Sequence, residues 1–106
     1  MIAAFVDDLL FRSKIRAVAG HTGADVAFLR AADDPALAGA SLAIVDLDGK
    51  NAITIVSGLV AAWPSLRVLG FVSHVHADRI RDARAAGASD VMARSAFVNA
   101  LPGLLA

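Results

Sequence analysis

The chain has 106 residues, 58% of them hydrophobic, and its ten Lys and Arg cancel its ten Asp and Glu to a net charge of zero. That length makes a single domain around one core, and the charge balance supplies no global field for nucleic acid. The longest uncharged run, residues 51–66, contains Asn, Thr, Ser, Gly and Pro, which excludes a membrane span of ~20 apolar residues. With no cysteine there is no disulfide, zinc-thiolate or thiol chemistry. The N-terminus shows neither the basic region nor the cleavage site of a signal peptide, so a cytoplasmic location is expected. A mean hydropathy of +0.65 points to strands covered on both faces.

Residues 1–6 are apolar and run into Asp7-Asp8, which predicts a strand ending in carboxylates. Leu9, Leu10, Ile15, Val18 and Ala19 line one side of an amphipathic helix over 9–19, closed by Gly20 to Gly23. Residues 24–30 read as a strand near the sheet edge. Asp33-Asp34-Pro35 starts a brief helix, with Asp as cap and Pro in the first turn. Leu42 to Val45 then lead into Asp46 as a strand buried on both faces.

Residues 52–62 predict a helix that Trp63-Pro64 closes, because the residue before proline is pushed out of helical geometry. Residues 67–73 form a fourth strand, 74–76 a loop, and 77–86 a helix stopped by Gly87. Residues 89–93 form the fifth strand, and 97–105, interrupted by Pro102, a last short helix. Strand and helix alternate throughout, which implies one α/β domain over residues 1–106. It is a doubly wound parallel sheet with helices on both faces, a three-layer αβα arrangement.

In such a sheet, chemistry gathers at the carboxyl ends of the strands. Those ends carry Asp7 and Asp8, then Asp46, Ser73 and Arg94. Converging carboxylates repel one another and call for a cation. An all-oxygen set of Asp7, Asp8 and Asp46, with Asp48 as a further donor, suits Mg²⁺. A hydroxyl and a cation on adjoining strands suit a transferred phosphoryl group, with Asp46 as the nucleophile.

Four segments carry a family likeness: Phe5-Val6-Asp7-Asp8, Leu42 to Leu47, Ser73, and Ala83-Arg-Ala-Ala-Gly-Ala-Ser-Asp90. Over nearly its whole length the chain resembles the receiver domain of response regulators. That resemblance implies a five-stranded flavodoxin-like sheet of order 2-1-3-4-5. It implies Asp46 as phosphoacceptor, Mg²⁺ as cofactor, and Ser73 and Arg94 as the residues that sense the phosphoryl group. It further implies a stand-alone, non-enzymatic signalling domain that docks a histidine kinase or a downstream target, with neither nucleic acid nor membrane as partner.

The chain departs from the family where a lysine followed by proline ends the fifth strand; here Arg94 is followed by Ser95. The segment after Asp46 is short and lacks the usual proline. These departures favour a second reading, a phosphorylation-independent receiver fold used for protein interaction or as a homodimer. A small-ligand-binding or enzymatic flavodoxin-like domain using His74 is the third. Arg79, Arg81 and Arg84, interleaved with Asp78 and Asp82, read as a salt-bridged solvent face or a docking surface. His74 and His76 read as pocket-mouth and helix-start residues, His21 as a solvated helix end, and Trp63 as a packing residue at the sheet edge.

Overall fold

The computed structural model describes residues 1–73 and 77–106. The readings of His74 and His76 fall outside the described residues. Five parallel strands stand in the order β2-β1-β3-β4-β5, as expected. They are β1 (Ile2–Phe5), β2 (Val26–Phe28), β3 (Leu42–Asp46), β4 (Arg67–Val72) and β5 (Asp90–Ala93). The helices are α1 (Leu9–Thr22), α2 (Ala52–Ala62), α3 (Ala77–Ala85) and α4 (Arg94–Leu104), with a single 3-10 turn over Pro35–Gly39.

The period of two along each strand divides the core into two layers. Ile2, Ala4, Leu42, Ile44, Leu69 and Phe71 face α1 and α4. Ala3, Phe5, Ala43, Val45, Val68 and Val72 face α2 and α3. Because β1 and β3 are buried on both faces, neither alternates in polarity. Continuous apolar runs are what a central parallel strand requires.

Three of the differences from expectation have a clear local reason. Helix α1 passes through Gly20 and ends only at Gly23, whose φ of 75° supplies the left-handed stop. The segment after Asp34 is a 3-10 turn, capped by the Asp34 carboxylate on the Ala36 N–H at 2.9 Å. Helix α4 starts at Arg94, directly after β5, three residues before the predicted start at Phe97. At Gly87 the expected left-handed stop is present, with φ of 105°. A Cβ there would also lie 2.9 Å from Val60 Cγ1, so α2 packs where only glycine leaves room.

The α1/α4 layer centres on three rings, one each from α1, β4 and α4. Phe71 and Phe97 lie 4.5 Å apart at an interplanar angle of 4°, and Phe11 stacks on them at 4.9 and 5.8 Å. Such pairs contribute about 0.5–1.5 kcal/mol beyond the area they bury. Phe97→Ala is therefore expected to cost about 3–5 kcal/mol in urea unfolding. Leu10→Ala, at a side chain 86% exposed, should cost under about 0.5 kcal/mol. Equal costs for the two would refute the assignment of the rings as the centre of this layer.

Candidate functional site

Asp46 closes β3, and by strand period its side chain belongs to the α1/α4 layer. At 7% exposure it is the one buried charged residue among the described residues. Its Oδ1 accepts the Asp48 N–H at 3.0 Å, and the Gly49 N–H bonds to its backbone carbonyl at 3.0 Å. These two bonds close the turn that follows the strand. Leu47, the next residue, is fully buried in the other layer beside Gly70. A Cβ on Gly70 would come within 2.8 Å of Leu47 Cδ1, so this glycine makes room for the turn's anchor.

Arg94 approaches Asp46 from the first turn of α4, its Nη2 4.0 Å from Asp46 Oδ2. Its guanidinium lies 4.7 Å above the Phe11 ring centre and 5.9 Å from that of Phe71. Cation–π contact on a buried ring fixes the plane of an arginine in a way a lysine could not reproduce. The Arg94 Nε donor is buried and finds no acceptor among the described residues.

The two carboxylates of the turn are pushed in opposite directions. Burial raises the Asp46 carboxyl above its ordinary value of 3.8, and the charges of Asp48 and Asp8 add to this. The Asp48 N–H and Arg94 pull it back only in part. Burial also works to raise Asp48, but the hydroxyl and N–H of Ser73, with Arg94 and Arg79, hold it below 3.8. The Ser73 N–H bonds Asp48 Oδ2 at 2.7 Å.

Of the residues predicted for this site, Asp8, Asp46, Asp48, Ser73 and Arg94 come together and Asp7 does not. Asp7 follows the strand period of Ala3 and Phe5 and lines a separate concavity with Phe5, Arg30, Lys50 and Asn51. Asp8 turns to α1 and caps it, its Oδ1 accepting the Phe11 N–H at 3.1 Å. Ser73 serves Asp48 rather than Asp46.

Of the expected Mg²⁺ set of Asp7, Asp8, Asp46 and Asp48, Asp7 stands apart from the other three. Among the described residues no three His, Cys, Asp or Glu side chains gather at metal-binding spacing. Three of the four carboxylates each have an oxygen bonded to a backbone N–H.

Arg79 was missed. Read as part of a solvent face, it instead donates from α3 to the Leu47 carbonyl within the acidic turn. Arg81 does take the expected surface role, pairing with Asp78 at 3.4 Å and Asp82 at 3.5 Å. The signal for Arg79 was its place in the first turn of α3, on the same rim as the end of β3.

No family model matches the chain, nor does any curated protein. Solved structures do. A response regulator from Thermotoga maritima aligns over 97% of this chain and 91% of its own, with a TM-score of 0.77 and 15% identity. The receiver domain of NtrX from Brucella abortus aligns over 98% and 93%, at 0.79 and 17%. The fold is that of a response-regulator receiver domain. A Burkholderia pseudomallei response regulator, solved with a phosphorylated aspartic acid, calcium ion and citrate, aligns over 99% of this chain and 65% of its own, at 0.77 and 20%. At such identities the likeness to receiver domains is one of fold.

The opposed shifts give this receiver fold a pH signature. A raised folded value means that Asp46 favours the fold fully below 3.8 and loses that contribution as pH rises through the raised value. Asp48, depressed, contributes above 3.8 and loses its contribution as pH falls. Between about pH 3 and pH 7, Asp46→Asn should gain stability relative to the parent as pH rises, and Asp48→Asn should lose it. Urea midpoints across that range check both signs.

Proposed function

We propose that the chain is a receiver-type signalling domain in which Asp46 accepts a phosphoryl group and a partner protein reads the surrounding helix faces. The observation that carries this is the placement of Asp46: a buried carboxylate at the carboxyl end of the central strand, with a fixed cation 4.0 Å from its outer oxygen. A nucleophilic carboxylate at a strand end with a cation beside it suits phosphoryl transfer. A response regulator of the same fold was solved with a phosphorylated aspartic acid.

In the transfer, an Asp46 oxygen attacks phosphorus in an acyl phosphate. The bond from phosphorus to the donor's oxygen breaks, and the donor leaves as a carboxylate. The product is an acyl phosphate on Asp46, with no net proton transferred. Arg94 offsets the negative charge on the phosphoryl oxygens. Ser73 keeps Asp48 ionised and turned away, which leaves Asp46 as the reacting carboxylate. Output would pass through the partner, whether a histidine kinase or a downstream target, and the location is cytoplasmic in this reading.

A second reading has its own support. The carboxylates of the rim are bonded to the protein's own N–H groups, and Arg94 already pairs with Asp46. On that reading the same fold docks its partner, or a second copy, without phosphorylation.

Intact-mass analysis after incubation with acetyl phosphate, with and without Mg²⁺, decides between the two. One phosphoryl adduct, labile to hydroxylamine and absent from Asp46→Asn, is the expected result. No adduct at saturating donor in either condition overturns the phosphoacceptor reading in favour of constitutive docking.

A further inference from the structure

The rim of this fold carries three neighbouring carboxylates, each with one oxygen tied to a backbone N–H. Asp8 is committed to the Phe11 N–H, Asp46 Oδ1 to the Asp48 N–H, and Asp48 Oδ2 to the Ser73 N–H. Asp7 lies in another concavity. Each of the three bonded carboxylates keeps a second oxygen outside those bonds, and that of Asp46 faces the Arg94 guanidinium at 4.0 Å.

We infer that Arg94 occupies the electrostatic place of a divalent cation in this chain, so that the acidic pocket is neutralised from within and admits Mg²⁺ or Mn²⁺ only when Arg94 is removed. The inference rests on the geometry of the pocket and holds whether or not Asp46 accepts a phosphoryl group.

Three properties keep the arginine where it is. Its charge is permanent, because a guanidinium does not deprotonate in proteins. Its guanidinium lies over Phe11, a ring itself held in the aromatic cluster. Its backbone is the first residue of a helix that follows β5 without a loop. A dication at Asp46 would stand beside this fixed positive charge and repel it at short range.

Charge accounts for the arrangement as well. Asp48 and Asp8 act on Asp46, while Arg94 acts on both carboxylates of the turn and Arg79 on Asp48. Two guanidiniums therefore already serve the acidic turn, the Arg79 donor through the Leu47 carbonyl.

The test is Mn²⁺ binding to the full chain, read from the loss of the free-ion electron paramagnetic resonance signal. The parent should leave that signal undiminished into the millimolar range. Arg94→Met, which keeps an apolar stem on the Phe11 ring and removes the charge, should bind Mn²⁺ at least about ten-fold more tightly. Arg94→Met with Asp46→Asn should lose that gain. Should Arg94→Met fail to give a folded circular dichroism spectrum, Arg94→Lys takes its place. It releases the ring stack and keeps a mobile charge, and a smaller gain is expected.

Parent binding as tight as that of the Arg94 variant overturns the inference. So does a gain that survives Asp46→Asn, because the ion would then sit elsewhere. The readout is the metal alone, so its failure is distinguishable from a failure of phosphoryl labelling at Asp46.

Discussion

The site depends on a stack of aromatic rings. Phe11, Phe71 and Phe97 come from three different elements and meet in one layer of the core. On their upper edge lies the Arg94 guanidinium, and beyond it the buried Asp46. A buried carboxylate is tolerated when a charge partner and hydrogen bonds compensate its lost hydration. Here the partner is available because the rings give its plane a surface to rest on. Without the stack the cation loses its seat, and without that cation the buried Asp46 side chain keeps only the Asp48 N–H.

Neutralisation also explains the unequal fates of the rim carboxylates. Asp8 and Asp48 lower their energy by accepting backbone N–H groups, which costs them availability to a ligand. Asp46 has only the Asp48 N–H and the distant edge of Arg94, so burial dominates and its carboxyl is raised. The acidic rim is thus a graded set: two carboxylates that organise backbone, one buried beside Arg94, and Asp7, which faces elsewhere.

Much of the fold was legible because its signals are local and repeated. The apolar runs before Asp46 and before Ser73 are short, bounded by turn residues and fit central parallel strands. Trp63-Pro64 and Gly87 end their helices by backbone rules that act over one or two residues. The site was legible only as a roster. That Asp7 and Asp8 diverge follows from the period of two in β1, a signal present in the sequence. That Arg94 opens a helix was hidden, since nothing in Ala93-Arg94-Ser95 marks a helix start and no side chain caps it. For Arg79 the sequence offered only a shared rim; its bond to the Leu47 carbonyl depends on how α3 settles beside a turn 32 residues away in sequence.

One consequence follows from the junction of β5 with α4. Strand and helix abut at Ala93 and Arg94, so no hinge separates the arginine from either element. Beyond its own rotamers, Arg94 can move away from Asp46 only if α4 moves as a body, and with it Phe97 and the surface it shares with α1. The state of a single carboxylate and the pose of a whole helix are therefore mechanically coupled, with the rotamers of one arginine as the play in the lever.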